Sequence, residues 1–379
     1  MTRIYLIRHA EAEGNLYRRA QGHWDGKLTA LGLRQAEALA ERFRDIQIDA
    51  VYASDLSRAA DTASAILRGR SLQLAVTPRL RELCMGVWEG QPWGQLQYEF
   101  PEEMALFNGD LSKWQVEGSE RFEAAQERMN GILAEIAGAH PGETVAVVSH
   151  GMAIKTFLYG ALGIDPGTPG LLAHGDNTSV SLLEYTDGKP TVIFYNDNSH
   201  LGDLSTFGRQ KWWRTDGPDK TSLRFVPMNL KDKADAELYT RSYGDSWEVA
   251  HGSRAGFVPN VYLATARAHS RADRQCVVKV MSGDEFAGVI ELDPERGRRE
   301  KCGWVSFLYL CPAFRHLGLG IQLLGYASAF FSNRGRATIR LHVAVTNENA
   351  IGFYKKWGFE TIGVDQGVSS EQYLMEKRL

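Results

Sequence analysis

The sequence has no long hydrophobic run. Charged or polar residues interrupt every apolar stretch of the 379 residues before it is long enough to cross a bilayer as a helix. The N-terminus passes from Met1-Thr2-Arg3 directly into a strand-like segment, without the pattern of a signal peptide. We therefore expect a cytoplasmic protein with no membrane partner. With 44% hydrophobic and 23% charged residues, the composition is that of an ordinary globular chain of two or three domains.

Cysteine is also scarce. The four cysteines show neither a CxxC pair nor the paired spacing of a metal site: Cys84, Cys276, Cys302 and Cys311. Reduced and mostly buried thiols are typical of such a chain. We therefore expect no disulfide framework and no metal cofactor.

A basic run interleaved with aromatic residues is missing as well, so we expect no nucleic-acid partner. The charge is nevertheless uneven along the chain. Residues 1–205 carry 18 Lys and Arg against 27 Asp and Glu, whereas residues 206–379 carry 25 against 19. This difference suggests two domains and an anionic ligand for the second, although two solvated surfaces that differ by chance would look the same.

Strand-like and helix-like segments alternate in the first half, which predicts an α/β layered sheet. The predicted strands are short and rich in β-branched residues: Ile4–Ile7, Ala50–Ala53, Thr144–Val148, Val180–Tyr185 and Thr191–Tyr195. Thr29 is predicted to cap one helix, whose apolar face is Leu33, Ala36, Ala40 and Phe43. Ser54 or Asp55 is predicted to cap the next helix, which runs through Leu67.

A polar, aperiodic stretch containing Gly and Pro separates the two halves and predicts a linker. The predicted divisions are a domain at 1–205, a linker at 206–221 and a domain at 222–379. Trp212 and Trp213 are expected to pin the linker onto a domain. The second domain has predicted strands at 222–227, 287–292, 304–310 and 339–345.

Three predicted strands of the first half end on groups that suit phosphate chemistry. Arg8 and His9 follow the first, Ser54 to Arg58 follow the second, and Ser149-His150 follow "TVAVV". Ligands of open α/β sheets bind beyond the carboxyl ends of the strands, so these groups are expected to converge. The eight other histidines are expected to be ordinary surface or core residues: His23, His140, His174, His200, His251, His269, His316 and His342.

These residue types suit phosphoryl transfer through a phosphohistidine. A neutral imidazole is a nucleophile at neutral pH, and a covalent intermediate divides hydrolysis into two easier displacements. Guanidinium groups bind phosphate oxygens bidentately, which favours Arg8 and Arg58 as the clamp. His150, if protonated, would add a positive donor. Glu82 could supply the proton that the leaving alkoxide needs, if its surroundings keep it protonated.

Five segments, in order, resemble the histidine phosphatase (phosphoglycerate mutase-like) superfamily: "LIRHAEAEGN", "LTALGLRQA", "SDLSRAADTA", "RELCMGVWEG" and "VVSHGMAI". The resemblance implies a three-layer α/β/α fold over residues 1–205. It also implies His9 as the phosphorylated nucleophile, a phosphate pocket completed by Arg8, Arg58 and His150, and Glu82 as the proton donor. By the same resemblance, Asn15, Gln21, Asn177 and Thr178 line or adjoin the pocket. Ala10 departs from the glycine that is usual there.

The resemblance favours a phosphatase over a mutase, because mutases of this superfamily have a long insertion between the acid and the second histidine. Here that interval, 83–149, is compact. Two alternatives stay open: a mutase that moves phosphate between hydroxyls, and a module that only binds a phosphorylated ligand. The predicted substrate is a small-molecule phosphate ester.

The second half contains a glycine-bearing turn in "FLYLCPAFRHLGLGIQLLGYA". A helix is predicted after the glycines, with Ile321, Leu324, Ala327 and Phe331 on its apolar face. Backbone N–H groups at such a helix start can approach a pyrophosphate, but a turn that needs glycine for steric reasons would look the same.

Together with "VTNENAIGFYKKWGFETIG", this turn resembles the GNAT (Gcn5-related) acetyltransferase family over residues 222–379. The resemblance implies a mixed α/β fold that transfers acetyl from acetyl-CoA to a small-molecule amine. It implies that Tyr354 protonates the departing thiolate and that the cofactor contacts a set of loop residues: Leu310, Arg315, His316, Leu317, Gly318, Leu319, Gly320 and Asn347.

Glu291 is a candidate base for the amine, although it could equally be a strand carboxylate that points to solvent. A CoA-binding regulatory domain without turnover is the alternative for this half. We expect a bifunctional enzyme, and one metabolite bearing both a phosphate ester and an amino group would explain the fusion.

Overall fold

A computed structural model describes residues 1–168, 170–207, 221–368 and 370–379. The chain divides into two compact units, Met1–Gly217 and Pro218–Leu379. Within the described residues, no helix is long and apolar enough to span a membrane. Thirteen of the predicted linker positions, 208–220, lie outside the described residues, and Trp212 and Trp213 are among them.

A six-stranded sheet forms the centre of the first unit, in the order β3-β2-β4-β1-β5-β6. Strands β1 to β4 are parallel where they pair, and β5 and β6 add an antiparallel edge. The strand bounds are β1 Thr2–Arg8, β2 Ala50–Ala53, β3 Leu74–Val76, β4 Thr144–Ser149, β5 Val180–Thr186 and β6 Lys189–Asp197. The sequence analysis missed β3, whose three residues are too few to show an alternating pattern.

Seven helices flank this sheet within the described residues: α1 Glu13–Tyr17, α2 Ala30–Arg42, α3 Ser57–Ile66, α4 Trp93–Glu99, α5 Pro101–Gly109, α6 Phe122–Ala139 and α7 Gly151–Leu162. The central strands are buried on both faces because alternate side chains point to opposite sides. Leu6 and Val147 pack in the same core as α6 and α7. Ile7 and Val148 pack in the core of α2 and α3. The three-layer α/β/α prediction is therefore confirmed.

The two helix caps predicted from the sequence had different outcomes. Thr29 caps α2 as predicted, since its hydroxyl accepts a hydrogen bond from the Gly32 N–H at 3.0 Å. Leu33, however, is 53% exposed, so its place on the buried face was wrong. The buried residues of α2 are Gly32, Gln35, Ala36 and Leu39.

The start of α3 was also predicted wrongly. Neither Ser54 nor Asp55 caps this helix, which begins at Ser57. The Ser57 N–H instead donates to both carboxylate oxygens of Asp25, at 2.9 and 3.1 Å. A cap that comes from another loop leaves no local sequence signal.

The second unit contains a seven-stranded sheet in the order β12-β13-β11-β10-β9-β8-β7. The strand bounds are β7 Leu223–Pro227, β8 Val277–Ser282, β9 Glu285–Asp293, β10 Cys302–Leu310, β11 Thr338–Ala344, β12 Glu360–Gln366 and β13 Glu371–Arg378. All pairs are antiparallel except β10 with β11, so the sheet contains both pairings.

Four helices accompany this sheet in the described residues: α8 Lys233–His251, α9 Pro259–Ala272, α10 Gly320–Ser332 and α11 Glu348–Lys356. Helix α10 buries the apolar face predicted for it, including Leu324 and Phe331. Asp232 caps α8, because its carboxylate accepts from the N–H groups of Ala234 and Asp235. Helices α8 and α9 pack beside β9.

Candidate active sites

The parallel pairing of β1 with β4 brings two histidines together. Arg8 pairs with Ser149 in the last register of these strands, and the His9 N–H donates to the Ser149 carbonyl at 2.9 Å. Each histidine directly follows its strand, and the ring centroids of His9 and His150 are 5.2 Å apart. Both side chains are buried. Adjacent parallel strands thus place both imidazoles at one edge of the sheet, as the sequence predicted.

The tautomer of His9 follows from its contacts. Its Nδ1 lies 2.7 Å from the Ala10 carbonyl, which can only accept a hydrogen bond. Burial, followed by the charges of Arg58 and Arg8, lowers the pKa of His9 well below its usual value of 6.5. The ring is therefore neutral at pH 7 and carries its proton on Nδ1, which leaves the Nε2 lone pair available for nucleophilic attack.

Two arginines, the buried Arg58 and the half-buried Arg8, flank the histidines. Arg58 Nη1 donates to the Trp24 carbonyl at 2.9 Å, and its Nη2 donates to the Gly22 carbonyl at 2.7 Å. Arg8 Nη1 donates to the Gly175 carbonyl at 2.6 Å. Burial lowers the pKa of Arg58 to about 10, although nearby carboxylates oppose the shift, so both guanidinium groups stay charged at pH 7.

Among the described residues, several buried polar atoms of the predicted site residues have no hydrogen-bond partner: Nε of Arg8, Nε of Arg58, both ring nitrogens of His150 and Oε1 of Gln21. Buried polar atoms are nearly always hydrogen-bonded in folded proteins. Burial, then the Arg58 charge, lowers the pKa of His150 well below its usual value. The site thus gathers two fixed positive charges and several unpaired nitrogen atoms, an arrangement that suits an anionic ligand.

Glu82 lies next to this group and binds the first turn of α7. Its Oε1 accepts from the Leu83 N–H at 2.9 Å and the Ala153 N–H at 2.7 Å, and its Oε2 accepts from the Met152 N–H at 3.1 Å. The carboxylate thereby replaces the side-chain cap that His150 does not provide. This contact explains why Glu82 is buried close to His150.

Of the four predicted pocket residues, two contact the His9 backbone and two do not. Asn177 Nδ2 donates to the His9 carbonyl at 3.1 Å, and the Thr178 N–H donates to the same oxygen at 3.3 Å. Asn15 Oδ1 accepts a hydrogen bond from the Ala12 N–H at 3.0 Å and thus stabilises the start of α1. Gln21 keeps a free Oε1. Asn177 and Thr178 therefore position the backbone at His9.

Ala10, the departure from the usual glycine, is fully buried. Its N–H donates to the Thr62 hydroxyl of α3 at 3.0 Å. The methyl group is accommodated in a small apolar cluster together with Ala36 and Ala65. The strand end beside His9 therefore tolerates alanine.

Asp176 is a buried residue of this region that the sequence analysis missed. Its carboxylate accepts from the Asn177 N–H at 2.8 Å and the Ser205 hydroxyl at 2.6 Å, and from both the N–H and the hydroxyl of Thr206. Its charge also opposes the burial that lowers the pKa of Arg8. In the sequence, Asp176 stands next to the predicted pocket residues in the stretch "HGDNTS", and this position could have identified it. Its contacts with Ser205 and Thr206, however, depend on the fold. These contacts hold the first predicted linker residue, Thr206, against the first unit.

In the second unit, β10 and β11 diverge part of the way along their length. They pair only from Cys302 with Thr338 to Val305 with Leu341, although β10 continues to Leu310. The β9–β10 register also shifts between Val305 and Phe307. Backbone groups of β10 beyond the pairing can therefore face a ligand.

The loop between β10 and α10 contains two residues with positive φ, His316 at 62° and Gly318 at 78°. A Cβ at Gly318 would have no neighbour within 4 Å, so open space adjoins the loop. No side chain caps α10. The Arg315 Nε–H donates to the Leu310 carbonyl at 2.8 Å and ties the loop to its strand. Leu317 is exposed and Leu319 is buried. The loop therefore directs backbone N–H groups outward at a helix N-terminus, a known anion-binding arrangement.

The other predicted residues of this unit lie on α11 and β9. Asn347 Oδ1 accepts from the Ala350 N–H at 3.2 Å and so caps α11. Tyr354 is buried, which raises the pKa of its hydroxyl and keeps it protonated at pH 7. The side chain of Phe353 would meet a Cβ at Gly320 at 2.9 Å, so α11 packs against the start of α10.

Glu291 is buried and does not point to solvent, so that alternative was wrong. The Tyr239 hydroxyl donates to its Oε2 at 2.5 Å, and the His269 Nδ1 lies 2.7 Å from its Oε1. The other ring nitrogen of His269 lies 3.3 Å from Asp293 Oδ2.

His269, expected to be an ordinary surface or core histidine, is charged at pH 7. Burial alone would lower its pKa, but hydrogen bonds to Asp293 and Glu291 raise it to about 9. The two carboxylates stand two residues apart on β9, so they share one face of the strand and bind one imidazolium between them. The segment "ELD" shows in the sequence that two carboxylates share one face of the strand. It does not show that their partner is His269 of α9, which lies on a distant segment.

Two family models match the sequence. Residues 4–198 match the histidine phosphatase superfamily (branch 1), and residues 236–359 match the acetyltransferase (GNAT) family. Both matched ranges contain the side-chain groups described above.

Several known proteins are similar to the first half. Phosphoserine phosphatase 1 of Hydrogenobacter thermophilus is 29% identical over 205 residues, which cover 54% of this chain and 96% of that protein. Probable phosphoglycerate mutase GpmB of Yersinia pestis is 36% identical over 197 residues, with coverage of 49% and 86%. Among solved structures, Bacillus stearothermophilus YhfR has a TM-score of 0.51 and 31% identity, with coverage of 53% and 99%.

Proposed function

The chain belongs to the histidine phosphatase superfamily through residues 4–198 and carries a GNAT domain in residues 236–359, which confirms both resemblances. From this premise we propose that the first domain hydrolyses phosphate monoesters through a phosphohistidine, and that the second transfers acetyl from acetyl-CoA to an amine. The observation that carries the first assignment is the set of unpaired buried nitrogen atoms around His9, on Arg8, Arg58 and His150.

In the proposed reaction, the neutral His9 attacks phosphorus through Nε2, and the P–O bond to the alcohol breaks. The hydrogen bond to the Ala10 carbonyl keeps the proton on Nδ1 and orients the ring. Arg8 and Arg58 hold the equatorial oxygens, and their position is maintained by backbone carbonyls, so they need little reorganisation during the reaction. Water then breaks the P–N bond and restores His9.

The departing alkoxide requires a proton, which we assign to Glu82. Its oxygens already accept three backbone N–H groups, so delivery of a proton requires one of these hydrogen bonds to lengthen. The leaving group of an aryl phosphate needs little protonation, whereas that of an alkyl phosphate needs a proton. If Glu82 is instead only an anchor for α7, Glu82→Gln should lower stability and reduce the rates with both esters by the same factor. A proton donor predicts a larger loss for the alkyl ester.

The similar proteins suggest the first esters to test. One relative is named as a phosphoserine phosphatase and another as a probable phosphoglycerate mutase. O-Phosphoserine carries both a phosphate ester and an amino group, the combination that would explain a fused acetyltransferase. 3-Phosphoglycerate distinguishes a phosphatase, which releases inorganic phosphate, from a mutase, which moves the phosphate to another hydroxyl.

The test is phosphate release from these two esters and an aryl phosphate by the full chain, beside His9→Ala and the control His140→Ala. We expect release by the wild type and by His140→Ala, and none by His9→Ala. Acid-labile labelling of His9 by the phosphorylated substrate should accompany it. Ligand binding without either signal would establish a binding module and overturn the assignment.

For the second domain, bound acetyl-CoA would supply an acetyl thioester open to attack by an amine. The loop from Arg315 to Gly320 fits its pyrophosphate, because positive φ angles and an uncapped helix start present N–H groups toward open space. We assign Leu310 and the neighbouring β10 backbone to the pantetheine arm, since β10 is unpaired with β11 there. Asn347 would adjoin this arm from the cap of α11. Tyr354 holds a proton that it can give to a thiolate.

Glu291 is our candidate base, but both of its oxygens accept hydrogen bonds. The competing role is structural, because the carboxylate joins Tyr239 of α8 and His269 of α9 to β9. Glu291→Gln separates the two: loss of a base lowers kcat with little change in the KM for acetyl-CoA, whereas loss of a structural anchor lowers the midpoint of thermal unfolding.

Acetyl transfer is tested by release of free CoA with a panel of amines, including serine and O-phosphoserine, for wild type and Tyr354→Phe. We expect turnover that falls at least tenfold in Tyr354→Phe. Binding of acetyl-CoA without turnover for any amine would identify a regulatory domain. In that case the phosphatase assignment would be unaffected.

A further inference from the structure

Three side chains that can bind a metal converge beside Glu82, although they come from two distant segments. His23, Cys84 and Glu89 each offer a ligand atom, and these atoms all lie within 4.8 Å of one another. All three residues are half-buried. In the portions of the chain that the structure describes, no other trio of His, Cys, Asp or Glu meets this spacing. Sequence spacing could not reveal the group, because His23 is 61 residues from Cys84.

The chemistry of the three ligands favours zinc. Zn²⁺ binds imidazole nitrogen, thiolate sulfur and carboxylate oxygen, and three protein ligands leave a fourth position for water or an anion. Mg²⁺ and Ca²⁺ prefer oxygen ligands alone. We propose that His23, Cys84 and Glu89 form a zinc-binding site at the rim of the phosphate pocket.

Surrounding hydrogen bonds already orient two of the ligands. The His23 ring lies 3.0 Å from the Glu82 carbonyl through Nε2, which must donate there and so leaves Nδ1 with a lone pair. Glu89 Oε1 accepts from the His23 N–H and the Met85 N–H, both at 2.9 Å. Its other oxygen can face a cation. Such outer contacts commonly fix metal ligands in place.

The thiol is the group that a metal would change most. Without a cation, the Cys84 thiol donates to the Gly118 carbonyl, at an Sγ–O distance of 3.5 Å. Binding would form a Zn–S bond and release the thiol proton to solvent. Tetrahedral zinc places its ligands about 3.4 to 3.8 Å apart, so the side chains need to close by about 1 Å, within reach of small rotations.

The position of the site gives it a connection to the phosphate pocket. His23 follows Gly22, whose carbonyl holds Arg58. Cys84 stands two residues after Glu82. A bound ion would therefore join the loop that positions Arg58 to the segment that carries Glu82.

Cobalt provides a direct test on the full chain, with no need for enzymatic activity. Co²⁺ is titrated into reduced wild type, Cys84→Ser and the control Cys311→Ser, whose cysteine is also half-buried. We expect a thiolate-to-cobalt charge-transfer band and tetrahedral d–d bands that saturate at one equivalent and disappear on adding Zn²⁺. The bands should persist in Cys311→Ser and vanish in Cys84→Ser. No band in the wild type, or one retained in Cys84→Ser, would overturn the proposal.

Zinc affinity then tests the other two ligands. Competition with a chromogenic chelator should show binding at least tenfold weaker in His23→Gln and Glu89→Gln, and unchanged binding in His316→Gln. Both amide variants keep hydrogen-bonding groups at these positions, and circular dichroism checks that they fold. Equal affinity in wild type and both variants would assign the zinc to other residues and contradict the site.

Discussion

Arg58 illustrates, at the scale of one residue, how a catalytic candidate depends on a loop distant in sequence. Its guanidinium is buried and donates to two carbonyls, Gly22 and Trp24, from the segment after α1. Asp25 of the same segment caps the helix that carries Arg58. One loop therefore sets both the start of α3 and the direction of its arginine.

Arg58→Lys should lower kcat/KM for phosphate release at least tenfold, or about 1.4 kcal/mol of transition-state stabilisation. A lysine ammonium is a single point charge, so it cannot contact both carbonyls and present a planar fork to phosphate. Steady-state kinetics with an aryl phosphate measure the change. Arg68→Lys, on the exposed residue just past α3, is the matched control and should retain wild-type kinetics. Equal kinetics in both variants would remove Arg58 from the phosphate clamp.

At the scale of an element, α2 and α10 both need a glycine near their first turn, but for different reasons. A Cβ at Gly32 would lie 2.0 Å from the Glu11 carbonyl, so the backbone at the start of α2 approaches that strand-end segment too closely for a side chain. At Gly318, before α10, space is open and the positive φ is the constraint.

Gly32→Ala should lower the free energy of unfolding of the first unit by about 1–3 kcal/mol, because backbone must shift to admit the methyl group. Urea unfolding followed by circular dichroism measures it. Gly138→Ala is the control, since this α6 position has no neighbour within 4 Å and alanine favours a helix. We expect Gly138→Ala to be neutral or stabilising. A stable Gly32→Ala would mean that α2 can move away from Glu11 at little cost.

Gly318→Ala should weaken acetyl-CoA binding at least tenfold, because alanine disfavours the φ of 78° that directs the loop. Calorimetric titration with acetyl-CoA measures the affinity. Gly335→Ala has a similar φ of 69° and equally open surroundings, but it lies beyond the other end of α10. Gly335→Ala should lower the free energy of unfolding by a similar amount and leave the affinity for acetyl-CoA unchanged. Equal affinities in the two variants would place the pyrophosphate elsewhere.

At the scale of the whole molecule, the two units hold buried histidines in opposite charge states. The pKa of His150 lies well below its ordinary value of 6.5 because of burial and then Arg58. The pKa of His269 is about 9 because its two carboxylates outweigh burial. The units should therefore respond to pH in opposite directions.

As pH falls below about 6.5, the unfolded chain binds a proton at His150 that the folded first unit excludes, so His150 alone contributes a loss of stability of about 1.4 kcal/mol per pH unit, in addition to that of His9. His150→Gln should reduce this slope. The contribution of His269 is fully present below pH 6.5 and is lost as pH rises through 9. The stability difference between wild type and His269→Gln should therefore shrink between pH 7 and 10. Urea unfolding followed by hydrogen-exchange mass spectrometry measures the free energy of unfolding of each unit separately, because peptides are assigned to one unit or the other. If the free energy of unfolding varied with pH in the same way in the wild type and in both variants, both charge states would be contradicted.

Much of this architecture could be predicted from local pattern. Strand-length apolar runs ended on Arg8-His9 and Ser149-His150, and the parallel sheet brought them together as expected. The apolar face of α10 was also predicted correctly. Leu33 was wrongly assigned to the buried face of α2, because a residue at the edge of the apolar face of a helix can be either buried or exposed.

The sequence by itself determined which residues end the central strands, the two families and the order of the predicted strands, because periodicity and short motifs are local properties of the chain. Only the tertiary structure decided which groups meet: Asp25 with α3, Asp176 with Thr206, and His269 with Glu291. It likewise decided that His23 lies beside Cys84. Contacts between distant segments depend on how the layers pack, and burial together with neighbouring charges then sets the charge of each histidine.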